Sequence, residues 1–133
     1  MRTVICIVLV VVCILALAGV LLPKFGHGEA RITAAQTQLG DFGKALDMFR
    51  EDSGHYPSDA NGLLGLSQRP RDAQNWHGPY LKNELGIPLD PWGQRYVYRC
   101  PGKHNRSFYD LMSLGPDGRE GTDDDITNWQ KKE

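Results

Sequence analysis

The residues best suited to chemistry lie near the C-terminus, where four aspartates and one glutamate occur between Asp117 and Asp125. Glycines interrupt this acidic run, so the backbone can turn tightly and present carbonyl oxygens. Clustered carboxylates repel one another, and a Ca²⁺ ion, which takes about six to eight oxygen ligands, offsets that repulsion. The spacing differs from that of an EF-hand loop, and Mg²⁺ prefers to keep water and phosphate ligands. The pattern therefore predicts either a calcium site or a solvated acidic turn.

No arrangement of residues in the sequence indicates catalysis. The histidines lack the spacing of metal ligands, and none lies beside a serine or cysteine in the context of a nucleophile. Glu51 and Asp52 are adjacent on a predicted helix and therefore point in different directions, unlike a glycosidase pair. Cys100 is expected to be buried near the end of a strand. We therefore expect a structural protein or a binding module rather than an enzyme.

The composition limits the chain to one anchor and one small domain. Its 133 residues include 15 basic and 16 acidic side chains, and a net charge of −1 gives no field that draws the chain to nucleic acid. Cys6 and Cys13 lie in an apolar stretch, so Cys100 is the one remaining thiol of the soluble part. This distribution excludes a disulfide framework. A domain of this size has a modest core, and such domains often gain stability from a metal or from self-association.

The elements that must position the acidic run begin with an apolar segment from Val4 to Leu22. A helix of this length, at about 1.5 Å per residue, reaches roughly 28 Å, which is close to one membrane thickness. The segment therefore predicts a membrane anchor within residues 1–29, and the alternative is a cleaved secretory signal with its site at Ala16-Leu17-Ala18. Pro23 is expected to kink or interrupt the helix, and Gly26 and Gly28 to loosen it.

A second helical pattern follows, with apolar residues at steps of three and four. They are Ile32, Ala35, Leu39, Phe42, Leu46 and Phe49. This stripe predicts the core contact of a small α+β domain, and Gly54 before Tyr56-Pro57 predicts where the helix stops. A further hypothesis is that anchor and helix form one rod, which packs against copies of itself in a filament. We assign Cys6, Pro23, Ile32, Leu39 and Phe42 to this anchor and assembly surface.

The rest of the chain, within a domain of residues 30–133, predicts short elements joined by turns. Ser58 or Asp59 can cap a helix that extends to about Gln68. Asp90-Pro91-Trp92-Gly93 has the residue types of a tight turn. The segments Arg95–Cys100 and Ser107–Leu114 then predict two strands of an antiparallel hairpin.

Several short motifs follow one another between about Ala30 and Trp129. They are Gly54-His55-Tyr56-Pro57, Asn61-Gly62-Leu63, Gly78-Pro79-Tyr80-Leu81, Asp90-Pro91-Trp92-Gly93, Tyr96-Val97-Tyr98, Pro101-Gly102, Asp110 with Ser113-Leu114-Gly115 and Asp117-Gly118, and Asp125-Ile126 before Asn128-Trp129. Together and in this order they resemble the major pseudopilins of bacterial type II secretion systems, general secretion pathway protein G. So many motifs in one order make the resemblance specific.

The resemblance implies a type IV pilin-like α+β fold, with a long N-terminal helix packed on a small antiparallel sheet and a C-terminal loop that binds structural Ca²⁺. It implies a subunit that spans the bacterial inner membrane once, with its globular domain in the periplasm. Such subunits assemble with copies of themselves, with other pseudopilins and with inner-membrane secretion components into a helical filament that supports export of folded proteins. The implied calcium ligands are Asp117, Asp123, Asp124 and Asp125, with the carbonyls of Leu114 and Arg119.

The N-terminus differs from the family pattern. Family members begin with a short basic leader that ends in glycine, followed by a Phe-Thr-Leu-x-Glu segment, and neither is present in this sequence. If Pro23 is aligned with the proline after the family's apolar segment, Cys6 takes the position of that glutamate. The alternative function is therefore a secreted or membrane-anchored module, stabilised by Ca²⁺, that uses the same domain without forming filaments.

Overall fold

The computed structural model of the chain describes residues 25–81 and 86–130. The order of elements is helix α1 (Phe25–Ser53), a 3₁₀ helix (Gly62–Leu66) and strands β1 (Val97–Arg99), β2 (Asp110–Ser113) and β3 (Ile126–Thr127). The α+β class is therefore confirmed. The apolar segment of the predicted anchor, Val4 to Leu22, lies outside the described residues, and none of the helices among them has the length and apolar character needed to cross a bilayer.

Helix α1 buries one stripe of its surface against the rest of the domain. The buried residues are Ala35, Leu39, Phe42, Ala45, Leu46 and Phe49. Ile32 belongs to the same stripe by its spacing but is 40% exposed, so the predicted core contact is wrong for this residue. Residues 28–34 are all exposed, because no described part of the domain covers these turns of α1. The expected loosening at Gly26 and Gly28 is also wrong, since α1 runs through both.

The predicted end of the helix is confirmed at Gly54. Its N–H donates a hydrogen bond of 2.8 Å to the Arg50 carbonyl, and its φ of 81° lies in the left-handed region that glycine adopts without strain. Helix α1 therefore stops where a residue with no Cβ allows the chain to reverse.

The second predicted helix is shorter and tighter than expected. It is a 3₁₀ helix preceded by Asn61, with no side-chain capping bond, so the predicted cap at Ser58 or Asp59 is wrong. Gly62 has a φ of 54°, and this left-handed residue prevents a continuous α-helix from Ser58. Asp59 instead accepts a 2.5 Å hydrogen bond from the Cys100 N–H.

The sheet has strand order β1-β2-β3 and is antiparallel throughout. The predicted hairpin of β1 and β2 is confirmed, with Tyr98 paired to Leu111. Both strands are shorter than predicted because the connecting segment forms its own turns, in which the Gly102 N–H donates to the Phe108 carbonyl at 3.1 Å. Strand β3 was not predicted, and it pairs with β2 on the opposite side from β1.

The core lies between the buried stripe of α1 and the sheet. The rings of Phe42 and Tyr96 meet edge to face with centroids 5.0 Å apart, and Leu111 of β2 is fully buried in the same cluster.

The predicted turn at residues 90–93 is confirmed, since the Gly93 N–H donates to the Asp90 carbonyl at 2.9 Å.

The buried stripe predicts a large effect of truncation at Phe49, which is fully buried. We expect Phe49→Ala to lower the free energy of unfolding by roughly 3–5 kcal/mol, since it removes apolar contacts and leaves a cavity. Met48→Ala, at a neighbouring residue that is 52% exposed, is the control and should change the free energy by less than about 0.5 kcal/mol. Denaturant unfolding of the full chain in detergent measures both, and equal effects would contradict this packing.

Candidate metal centre

The acidic run forms the connection between β2 and β3. Ser113 at the end of β2 pairs with Ile126 at the start of β3, so the sheet brings together the two ends of the loop, Leu114 and Asp125. Asn128 extends the pairing, because its Oδ1 accepts from the Leu111 N–H at 2.8 Å and its own N–H donates to the Leu111 carbonyl at 3.0 Å. We refer to residues 114–125 as the acidic loop.

Asp125 is the most buried carboxylate of the acidic loop, with 8% of its surface exposed. Its Oδ2 accepts hydrogen bonds from the Gly121 N–H at 2.7 Å and the Thr122 N–H at 3.2 Å. Its Oδ1 is buried and has no hydrogen-bond partner. A buried carboxylate oxygen without a donor is costly, and a bound cation removes that cost.

Oxygen atoms from three other residues converge on the Thr122 hydroxyl. Thr122 Oγ1 lies 3.4 Å from Asp117 Oδ1, 3.1 Å from the Arg119 carbonyl and 2.5 Å from Asp124 Oδ1. A hydroxyl has a single proton, so it can donate to only one of these acceptors at a time. Asp117 Oδ1 also accepts from the Arg119 N–H at 2.8 Å, so one hydroxyl and the backbone donors of the loop share these closely spaced oxygens. Our sequence reasoning did not identify Thr122, although an oxygen-bearing residue inside an acidic run is a signal for it.

The remaining carboxylates of the acidic loop, those of Asp124, Asp123 and Glu120, have different surroundings. Asp124 Oδ2 accepts from the Asp117 N–H at 3.1 Å, which holds the two sides of the loop together. Asp123 is exposed and, with Asp125, lines a cleft of about 700 Å³. Arg99 of β1 donates to Glu120 at 2.8 Å, and this contact holds the pKa of Glu120 below its ordinary value of 4.5. Glu120 is therefore engaged by an arginine.

These residues fit a hard cation in their chemistry, because the groups that converge are all oxygen. The unpartnered Oδ1 of Asp125 supports the same conclusion. Within residues 25–81 and 86–130, however, no three carboxylate, imidazole or thiol groups lie together as a ready metal cluster. Of the expected ligands, the structure brings Asp117, Asp124 and the Arg119 carbonyl together around Thr122, while Asp125 and half-buried Leu114 lie at the base of the loop.

Gly115 is required at the base of the acidic loop, which our sequence analysis did not recognise. Its φ is 62°, and a Cβ at this position would lie 2.4 Å from the Asp124 carbonyl oxygen. Backbone atoms cannot move aside cheaply, so any side chain here would push the two ends of the loop apart. A glycine two residues after the end of β2 is the only sequence signal for this contact.

A buried carboxylate outside the loop, Asp110, organises the segment between β1 and β2. Its oxygens accept hydrogen bonds of 2.7–2.9 Å from the backbone N–H groups of Lys103, His104 and Asn105. Burial alone raises the pKa of Asp110, but these donors outweigh burial, and the pKa lies below its ordinary value of 3.8. The same segment holds His104, whose ring stacks on Trp129 with centroids 4.3 Å apart.

The residues that we assigned to assembly have different environments. Leu39 and Phe42 are buried in the core of the domain, with 7% and 2% of their surfaces exposed. Ile32 is exposed on the uncovered first turns of α1. Cys6 and Pro23 lie outside the described residues. Of the three assembly residues in the described part of the chain, Ile32 is therefore the one whose side chain the domain leaves uncovered.

Comparisons with known proteins agree with this architecture. A family model described as type II secretion system protein G matches residues 25–129. The type II secretion system core protein G of Escherichia coli K12 is 41% identical over 129 residues, which cover 92% of this chain and 86% of that protein. The protein of the same name from Pseudomonas aeruginosa is 38% identical, with 96% of this chain and 92% of that protein covered. The crystal structure of the major pseudopilin from the type 2 secretion system of enterohaemorrhagic E. coli has 32% identity and a TM-score of 0.67, covering 82% of this chain and 96% of that one.

A long helix packed on a small antiparallel sheet, with a loop between its last two strands, defines a type IV pilin-like α+β protein. Within that class, the chain belongs to the type II secretion system protein G family and is a pseudopilin. Membership in this family places the chain among structural subunits. This agrees with the structural role that we expected from the sequence.

The contacts of Asp110 predict a pH-dependent effect of substitution. Asp110→Asn should lower the free energy of unfolding at pH 7 by about 2 kcal/mol, because an amide replaces charge-assisted acceptors of N–H donors. The folded-state pKa is below the ordinary value of 3.8, so the carboxylate's contribution is complete above that value and is lost as pH falls through the folded-state pKa. The difference between wild type and variant should therefore narrow in acid.

Denaturant unfolding of both proteins from pH 7 to pH 3 measures this difference. Asp41→Asn is the control, because Asp41 is exposed and forms an exposed ion pair with Lys44, and such pairs contribute little to stability. A difference between wild type and Asp110→Asn that stays constant with pH would show that Asp110 is not a stabilising carboxylate.

Proposed function

We propose that the chain is the repeating subunit of a type II secretion pseudopilus that supports export of folded proteins. It assembles through its N-terminal helix with copies of itself and with other pseudopilins and inner-membrane secretion components. The segment from Val4 to Leu22 anchors it in the inner membrane, with the globular domain in the periplasm. The uncovered N-terminal part of α1 is the observation that carries this proposal.

The exposure of α1 changes along its length. Residues 28–34 are exposed at every position, whereas the stripe from Ala35 to Phe49 is buried in the domain. Exposed Ile32 lies on this uncovered part and places an apolar side chain in solvent. A neighbouring subunit that packs against the uncovered part buries this side chain, while the domain keeps its own core intact.

We further propose that the acidic loop holds a structural Ca²⁺ ion. Its ligands are the carboxylates of Asp117, Asp124 and Asp125 and the carbonyls of Leu114 and Arg119, with Asp123 as the adjacent exposed carboxylate. The ion supplies positive charge to these closely spaced carboxylate and carbonyl oxygens. The buried and unpartnered Oδ1 of Asp125 is the main support for this assignment.

Calcium removal should destabilise the full chain. A ligand that binds only the folded state stabilises it by about 2.7 kcal/mol at one hundred times its dissociation constant. For a domain of this size that corresponds to a fall in melting temperature of roughly 10–20 °C after EDTA treatment, restored by added Ca²⁺. Differential scanning fluorimetry of the full chain in detergent measures this shift.

Asp125→Asn should lose most of this calcium response, because it removes the charge at the buried oxygen. Asp72→Asn is the matched control at an exposed aspartate outside the acidic loop and should keep the full response. If EDTA leaves the melting temperature of the wild type unchanged, the loop holds no structural Ca²⁺.

Assembly through α1 predicts a specific cross-linking result. A photo-reactive amino acid, p-benzoylphenylalanine, in place of exposed Ile32 should give a ladder of dimers, trimers and larger species in membranes at native expression levels. The same amino acid in place of Gln74, which is exposed on the domain, is the control and should give a weaker ladder. Monomers alone at position 32 would contradict assembly through α1.

The alternative, a Ca²⁺-stabilised module that does not form filaments, makes a different prediction for the N-terminus. N-terminal sequencing of the mature chain should show that the apolar segment is retained if the chain is an anchored subunit. A mature chain that starts at Gly19, after Ala16-Leu17-Ala18, would instead indicate a secreted module.

A further inference from the structure

A chain of hydrogen bonds joins the turn at residues 90–94 to the first residues of the acidic loop. Asp90 is 4% exposed, and its Oδ2 accepts a 2.5 Å hydrogen bond from the hydroxyl of fully buried Ser113. The same hydroxyl oxygen accepts from the Gly115 N–H at 3.2 Å. Gln94 Nε2 donates to the Gly115 carbonyl at 2.9 Å. Both backbone polar groups of Gly115 are therefore held by side chains.

This arrangement sets the direction of the Leu114 carbonyl. That carbonyl and the Gly115 N–H belong to one planar peptide unit, in which they point in opposite directions. When Ser113 holds the N–H, the direction of the Leu114 carbonyl is defined as well. The hydrogen bond from Gln94 to the next carbonyl prevents rotation on the other side of Gly115.

Gln94 contacts the acidic loop at a second point. A Cβ at Gly118 would lie 2.7 Å from Gln94 Oε1, so the loop backbone passes directly over this amide. The backbone of Gln94 is itself held by Asp90, whose Oδ1 accepts from the Gln94 N–H at 2.8 Å. The amide therefore bonds the loop at Gly115 and lies close to it at Gly118, while its own backbone is held in the turn.

We propose that Gln94, supported by Asp90 and Ser113, is a positioning residue for calcium binding. It does not touch the ion; it holds Gly115 by a hydrogen bond and lies against Gly118, so that the Leu114 carbonyl and the Asp117 carboxylate are presented together. This inference rests on the proposed calcium site of the acidic loop. It assigns a role to a residue that lies outside that loop and carries no charge.

Gln94→Met tests the proposal, because methionine keeps the length of the side chain and removes the amide donor. We expect about a tenfold or greater loss of Ca²⁺ affinity, which is typical when a group that orients metal ligands is removed. Calorimetric titration of the full chain with CaCl₂ in detergent measures the affinity. Melting temperatures in EDTA separate this effect from a general loss of stability, since wild type and variant should differ little without the ion.

Gln74→Met is the matched control, at an exposed glutamine distant in sequence from the loop, and should keep wild-type affinity. If Gln94→Met does not fold, Gln94→Asn keeps the amide but is too short to reach Gly115, and the same loss is expected. If Gln94→Met binds Ca²⁺ with unchanged affinity and its melting temperature falls equally in EDTA and in calcium, Gln94 is not a positioning residue. That result would leave the calcium site itself standing. A wild type that binds no Ca²⁺ would overturn the calcium site, and the positioning role with it.

Discussion

The pairing of β2 with β3 is the constraint on which the acidic loop depends. Strand β3 has only two residues, Ile126 and Thr127, so few backbone hydrogen bonds close a loop whose ends must meet. Closing a loop costs chain entropy, and repulsion among its carboxylates opposes closure further. The structure compensates with Asn128, which extends the pairing, and with Ile126, which packs against the core. The Ca²⁺ ion that we propose for the loop adds to this compensation, because a cation converts the repulsion into attraction at the same place.

The parts of the fold that could be predicted are those with a local signal. The stripe on α1 repeats over several turns, and Gly54 and the turn at residues 90–93 carry residue types that their backbone conformations require. Strand β3 has no such signal, because two residues cannot show an alternating pattern. Ile32 fits the helical periodicity but is exposed, since periodicity shows which residues share a face and does not show where the covering domain ends.

The candidate site also has a part that the sequence predicts and a part that it does not. The acidic run is contiguous in sequence, so its oxygen-rich character was evident from composition alone. The contact from Gln94 to Gly115 joins residues 21 positions apart, and that from Ser113 to Asp90 joins residues 23 positions apart. Such contacts follow from the packing of the turn beneath the loop, which no local pattern encodes. The Asp90 turn was recognised as a turn, and its connection to the loop appears only in the folded chain.

Strand β3 connects the acidic loop to helix α1 through direct contacts. Asp125 directly precedes this strand, and the strand contacts both β2 and α1. A cation that holds Asp125 therefore also holds Ile126 in the core, where it packs against the same cluster as Phe42 and Phe49 of α1. That cluster keeps the domain on the later turns of α1 and leaves residues 28–34 uncovered. In our proposal, ion binding in the acidic loop therefore supports the placement of the domain that leaves the first turns of α1 accessible for assembly, because loop and helix share one small core.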